Sequence, residues 1–289
     1  MTNDKLPMSN DCKAITIICK ALKEDVGAGD ITTRGVVARS IVVQGKIIAK
    51  EAGVIAGLPV AEEVFRQVDK KIKFSSAVKD GTWVKKGEVI ATLTGPAQGI
   101  LTGERVALNF LQRLSGIATL THSFVFRVSC LGSLARILDT RKTTPGLREL
   151  EKYAVRCGGG TNHRLGLYDA ILIKDNHLAI AGGVQATVSR IKKEGWRRMK
   201  IEVEAKTLAQ VKQAIALSVD RILLDNMNIK ILREAVRLCQ KAGIKTEASG
   251  GISLKNVARV AATGVDFISV GALTHSAKAL DISLKVNAG

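Results

Sequence analysis

The sequence predicts a chain in two parts: an α+β region first, then a run of βα units that suits a closed or nearly closed barrel. Three observations carry that expectation. Residues 1 to about 115 lack a repeating strand–helix rhythm. From about residue 133, short apolar runs recur, each followed by a polar loop and an amphipathic helix. Of the 289 residues, 46% are hydrophobic but only 3% aromatic, so a sizeable core can form and must be mostly aliphatic.

In the first region, positions 11–24 read as a helix with Ile15, Ile18, Cys19 and Leu22 on one face. Short β-rich runs follow at 41–49, 72–78 and 87–95, and 60–68 has helical spacing. Turn signals from Lys79-Asp80-Gly81 to Lys86-Gly87-Glu88 flank a short strand and predict β-hairpin structure. A helix of about a dozen residues is expected from near Glu104, carrying Val106, Leu108, Phe110, Leu111 and Leu114.

In the second region the apolar runs are 134–139, 170–175, 200–204, 221–225, 244–249 and 265–271. Helices are expected at 183–194, 207–217, 228–242 and 253–263. Roughly six or seven βα units imply a parallel sheet with helices outside it. That many units in about 140 residues suits a barrel better than an open sheet, although the rhythm alone leaves both open.

Composition narrows the function classes. No run of 18 or more uncharged apolar residues is present, so no membrane span is expected. The opening MTNDKLPMSNDCK lacks the positive-then-apolar order of a secretory signal. Five cysteines, an odd number without a C-x-x-C pair, argue against a disulfide framework or zinc site and fit a reducing, cytoplasmic setting. The formal charge of +18 admits a nucleic-acid surface, steering of small polyanions, or surface drift. Lys and Arg are spread without a block of five or six, and no aromatic–basic interleaving of the kind that stacks bases is present. No nucleic-acid partner is expected.

In a βα barrel the functional groups sit at the C-terminal ends of the strands. Those ends read Asp139-Thr140-Arg141-Lys142, then Lys174-Asp175-Asn176-His177, Glu204, Asp225-Asn226, Ser249-Gly250-Gly251 and Gly271. Each has a plain structural alternative, since Asp and Asn cap helices and Gly makes turns. Together they point to anion handling. Arg141, Lys142, Arg148, Lys152, Arg164 and Lys174 are cations for carboxylate or phosphate. Ser249-Gly250-Gly251 and Gly271 follow the last two strands, where backbone N–H groups and a helix N-terminus commonly bind phosphate. Glu204 and Asp225 are hard oxygen donors suited to a Mg²⁺ that bridges to a substrate phosphate. Gly158-Gly159-Gly160 has neither dinucleotide nor P-loop spacing. The four histidines make no zinc spacing, His122 reads as a packed histidine, and no cysteine has a positioned partner for a nucleophile role.

The run Asp139-Thr-Arg-Lys-Thr-Thr-Pro-Gly-Leu-Arg148, followed by Gly158-Gly-Gly-Thr-Asn-His163-Arg164, closely resembles the quinolinate phosphoribosyltransferase family. Glu104-Arg105-Val-Ala-Leu-Asn109, Ile173-Lys-Asp-Asn-His177, Glu202-Val-Glu204, Leu224-Asp-Asn226, Glu247-Ala-Ser-Gly-Gly-Ile252 and Ser269-Val-Gly-Ala-Leu-Thr-His275 match in order. The resemblance spans about 20–276. It implies an N-terminal α/β sandwich domain over 1–115 and an incomplete seven-stranded α/β (TIM-like) barrel over 116–273, with 274–289 returning to the N-terminal domain. It implies a Mg²⁺-dependent transfer from phosphoribosyl pyrophosphate to quinolinate with decarboxylation, in a homodimer whose active site is shared between subunits. Arg105 would come from the neighbouring subunit, and Arg141, His163, Arg164 and Lys174 would line the quinolinate site. Lys142, Glu204, Asp225, Ser249, Gly250, Gly251, Gly271 and His275 would meet phosphoribosyl pyrophosphate. Glu204 and Asp225 would also hold the metal, possibly through water, and Lys142, Lys174, Glu204 and Asp225 would form the catalytic set. Three alternatives stand beside this: a phosphoribosyltransferase for another anionic acceptor, a basic nucleic-acid-binding protein, and an inactive scaffold.

Overall fold

A computed structural model describes residues 13–194, 196 and 199–287. The chain divides into two compact units. One comprises residues up to His122, Thr143–Gly159 and those from Leu273 on; the other comprises Ser123–Lys142 and Gly160–Ala272.

The first unit is built on a four-stranded antiparallel sheet in the order Ile282–Asn287, Val42–Ala49, Val89–Pro96, Lys73–Ser76. Val42–Ala49 alternates exposed and buried residues almost without fault, as expected of a strand with one face on a core. Helix Leu58–Val68 starts with a proline in its first turn and buries Val60, Ala61, Val64 and Phe65. The helix expected at 11–24 is Lys13–Val26; positions 11 and 12 lie outside the described residues.

Two expectations for this unit need correcting. The dozen-residue helix near Glu104 is a 33-residue helix, Ala97–Ser129. Its glycines look like breakers in sequence but mark close approaches. A Cβ on Gly116 would lie 2.0 Å from the Lys278 carbonyl oxygen, and one on Gly103 would press on the Phe65 ring. The turn-rich stretch 79–88 does not form a hairpin within itself. Its short strand Trp83–Val84 pairs instead with Gly53–Val54. Asp80 explains the turn: its carboxylate accepts the Gly57 and Leu58 amides at 2.8 and 3.1 Å, capping the helix that starts there, and the Tyr153 hydroxyl at 2.7 Å.

The second unit is the βα region. Among the described residues, six strands pair in parallel in the order Arg136–Leu138, Phe267–Ser269, Lys245–Ser249, Arg221–Asp225, Ile201–Ala205, Ile171–Ile173. Thr161 makes a single-residue parallel bridge to Leu138 and supplies the seventh position. The sheet stays open between Thr161 and Ile171–Ile173, an incomplete TIM-like barrel. Hydropathy could not reveal the seventh strand, because one residue carries no period. Helices Val184–Lys193, Leu208–Ala216 and Ile229–Lys241 fall close to their expected places. The helix expected at 253–263 shrinks to Val257–Ala261, because the Asn256 side chain accepts the Ser253 amide and donates to the Gly251 carbonyl, folding those residues into a turn.

Candidate active site

Each barrel strand delivers polar residues at its C-terminal end. Asp139 follows Arg136–Leu138 and is fully buried. Its carboxylate accepts the His163 amide at 2.9 Å and the Asn162 side chain, so it ties the two longest motifs of the sequence to each other. That places Arg141, His163 and Arg164 on neighbouring strand ends. Lys174 follows Ile171–Ile173 and is exposed; its amide donates to His177 Nδ1 at 3.0 Å, so His177 caps helix Asp175–Ala181.

Arg164 is half-buried and donates to the Ala170 carbonyl at 3.1 Å. Burial, followed by the neighbouring positive charge of Arg141, lowers its pKa below the usual guanidinium value. Two cations held close enough to repel suit a ligand with two negative groups.

Glu204 and Asp225 end adjacent strands. Burial, then Asp225 and Asp175, push the Glu204 carboxyl above the usual carboxylate range. Lys206 binds Asp175 at 2.6 Å across the same rim. Glu204 and Asp225, carboxylates at the ends of adjacent strands, offer hard oxygens of the kind a divalent cation takes. The fit to Mg²⁺ is therefore good here.

One layer deeper lies a cluster that the strand-end reading passed over. The ligating atoms of His163, Glu202 and Glu247 all lie within 4.8 Å of one another, a geometry open to a divalent metal. This cluster is already compensated from within the chain. Arg221 binds Glu247 at 2.9 Å and lies 3.9 Å from Glu202, with its guanidinium 4.1 Å over the Phe267 ring. His163 Nε2 is 3.2 Å from Glu202 and 3.5 Å from Glu247. Burial favours the neutral imidazole, but Glu202 and Glu247 together outweigh it and raise the His163 pKa. Burial and then Glu202 push the Glu247 carboxyl up to about 7. A nitrogen donor and a resident guanidinium suit Mg²⁺ less well than the rim pair. The sequence did carry a signal for these residues: on a strand, Glu202 shares a face with Glu204, and Glu247 with Ser249.

The last strands end in tight turns. Gly250 and Gly251 have φ of +96° and +60°, in the region that favours glycine. A Cβ on Gly250 would strike Asn226 Oδ1 at 2.1 Å, whereas one on Gly251 would meet nothing within 4 Å. An open backbone at Gly251, beside Ser249 and Gly271, suits a phosphate. The helix after Gly251 begins only at Val257, whereas a short helix, Ala272–His275, starts directly after Gly271.

Arg105 and His275 belong to the first unit and are exposed. Arg148 and Lys152 belong there too, on helix Arg148–Cys157; Arg148 is braced on Thr143 at 3.0 Å and Lys152 is buried. His122 is half-buried and its ring lies 5.2 Å from that of the exposed Trp83. Burial, then Asp80, pushes the Cys157 thiol up to about 12, which leaves it a poor nucleophile at neutral pH. A cavity of about 710 Å³ opens beside the gap in the barrel, between residues following Thr161 (Arg164, Leu167, Tyr168) and Ile171, Ile180 and Trp196. Its lining is mostly apolar, and of the polar residues named at the strand ends only Arg164 and His177 reach it. No helix among the described residues is long and apolar enough to cross a membrane.

Residues 117–285 match the family described as Quinolinate phosphoribosyl transferase, C-terminal domain, and 30–115 match its N-terminal domain. The chain is 47% identical over 264 residues to a protein of Bacillus subtilis named probable nicotinate-nucleotide pyrophosphorylase [carboxylating], covering 91% of this chain and 90% of that one. A Synechocystis protein of the same name is 44% identical over 267 residues, covering 92% and 90%. The solved structure of nicotinate-nucleotide pyrophosphorylase from Francisella tularensis superposes with a TM-score of 0.93 at 41% identity, covering 98% of each chain.

Proposed function

The chain belongs to the quinolinate phosphoribosyltransferase family, and we infer from that membership how its own residues carry the reaction. It is an enzyme that transfers the phosphoribosyl group of phosphoribosyl pyrophosphate to quinolinate, with decarboxylation, as in NAD biosynthesis. The products are nicotinate mononucleotide, pyrophosphate and CO₂.

Arg141 and Arg164, with Lys174 beside them, take the two carboxylates of quinolinate and aim its pyridine nitrogen at the anomeric carbon. The observation that carries this assignment is the pair of close, partly buried guanidiniums on strand ends linked through Asp139. His163 belongs to the same acceptor site. Ser249, Gly250, Gly251 and Gly271 hold the 5′-phosphate, and Lys142 neutralises the pyrophosphate as it leaves. Glu204 and Asp225 would hold the ribose hydroxyls and a Mg²⁺, directly or through water, and the ion would supply positive charge to the leaving group. As the bond to pyrophosphate breaks, the pyridine nitrogen forms the new bond from the opposite face. The pyridinium then accepts the electron pair left when the adjacent carboxylate departs as CO₂, and a proton replaces it on the ring. Most of the acceleration is positioning and charge stabilisation.

The working unit is a homodimer in which Arg105 reaches the neighbour's quinolinate site. Leu167, Tyr168, Ile180 and Trp196 are all more than half exposed, an apolar surface that suits a partner subunit.

A turnover assay with quinolinate, phosphoribosyl pyrophosphate and Mg²⁺, using nicotinate as control acceptor, tests the reading. Product from quinolinate alone is expected. Product from nicotinate at a comparable rate would remove the paired-cation assignment.

A further inference from the structure

Barrel interiors are normally filled by branched aliphatic side chains. Here the layer beneath the strand ends holds two carboxylates, one of them fully buried, with a guanidinium and an imidazole between them. Ionic groups at such depth are costly to desolvate, and stability alone is served as well by apolar residues. The layer invites a role at the site above it.

His163 shows what that role is. Its amide donates to Asp139, its Nε2 faces Glu202 and Glu247, and its Nδ1 accepts the Arg164 amide at 2.7 Å. Both ring nitrogens are thus engaged inside the chain, and only 10% of the side chain is exposed. A ring held in this way fixes the start of Arg164 rather than meeting a substrate with its own nitrogens. Arg164 also feels Glu202 directly: that negative charge favours the guanidinium where Arg141 disfavours it.

We propose that Glu202, Glu247 and Arg221 form a buried positioning layer that acts through His163 to hold Arg164 in place for the acceptor's carboxylate. The inference rests on reading Arg164 as a carboxylate-binding residue, and it refines His163 from a contact residue to a positioning one. Glu247 governs the arrangement by occupying Arg221. Without the Glu247 charge, Arg221 turns to Glu202, 3.9 Å away, and takes that carboxylate from His163.

The test compares Glu247→Gln with Glu247→Asp in the full-length enzyme at about pH 8, where the Glu247 carboxyl, pushed up to about 7, is ionised. Gln keeps the size and loses the charge; Asp keeps the charge and loses a methylene. Glu247→Gln is expected to raise KM for quinolinate about tenfold, the scale of one weakened charge-assisted hydrogen bond, with KM for phosphoribosyl pyrophosphate and kcat within about twofold. Glu247→Asp should stay nearer to wild type. The reverse order, Gln near wild type and Asp impaired, would make the layer mere packing and overturn the proposal. An equal loss toward both substrates would do the same. Should Glu247→Gln fail to fold, Glu202→Gln, which removes the charge facing His163 and keeps the size, supplies the same split between the substrates. Calorimetric binding of quinolinate separates the two levels of inference. A wild-type protein that does not bind it sinks the acceptor-site reading itself. Wild type and Glu247→Gln binding it equally sinks only the positioning layer.

Discussion

Glu204 and Glu202 stand two residues apart on one strand and face the same barrel interior, yet their surroundings assign them opposite work. Glu204 sits at the rim, where burial first, and then the negative charge of Asp225 and Asp175, raises its pKa. Glu202 sits one layer down, with His163 Nε2 at 3.2 Å and the Arg221 guanidinium at 3.9 Å. At the rim Asp175 is paired with Lys206, while Glu204 and Asp225 are open to a cation or a ligand. The deep ones are neutralised by the chain. Depth along a strand decides whether a charge serves the substrate or the protein, because water is the alternative partner only at the rim.

The sharpest way to break that comparison is to remove the rim pair. Replacing both Glu204 and Asp225 by alanine should lower kcat/KM by about a hundredfold or more, since charge stabilisation of this kind commonly supplies such factors. Each single alanine variant should shift the Mg²⁺ concentration needed for half-maximal rate upward. Thermal stability should hold or rise, because the variants relieve repulsion rather than break a pair. A Mg²⁺ titration superimposable on wild type would take both residues out of the metal role.

The deep layer should answer in the opposite way. Arg221→Met leaves Glu247 buried without its 2.9 Å partner and should cost about 3 kcal/mol of stability. Arg221→Met combined with Glu247→Met removes both charges and should regain most of that loss. Denaturant unfolding of the three proteins measures the cycle. If the double variant is as unstable as the single one, the layer is not held by compensating charge.

Much of this contrast was legible in the sequence, and the illegible part has a physical reason. Strand ends announce themselves where a short apolar run changes character abruptly, as Ile137-Leu138 does at Asp139-Thr-Arg-Lys and Ile222-Leu-Leu224 at Asp225-Asn226. The runs at 221–225 and 245–249 therefore gave the barrel and its functional edge together. Thr161 gave nothing, since a strand of one residue has no alternation to read. Glu202 and Glu247 were visible as letters but not as a cluster, since their meeting with His163 and Arg221 joins four separate strand positions. The same limit hid the full helix at Ala97–Ser129. Gly116 reads as an interruption until the Lys278 backbone that crowds it is in view.

The smallest expected effect is also the most specific to depth. In the folded protein the Glu247 carboxyl is pushed up to about 7 from an ordinary 4.5, by burial first and Glu202 second, against the pull of His163, Arg221 and Ser269. Between those values the folded state keeps a proton that the unfolded chain has released. Stability from this group is therefore fully present below 4.5 and declines as pH rises to about 7. The raised His163 pKa acts in the same direction, its contribution falling as pH climbs through the folded value above 6.5. Glu247→Gln cannot ionise and removes the carboxyl's share of this dependence. The wild-type advantage over Glu247→Gln, read as a Tm difference, should thus be greater at about pH 5 than at about pH 8. A difference that is flat across that interval would mean that Glu247 is ionised throughout, with Arg221 and His163 compensating it fully.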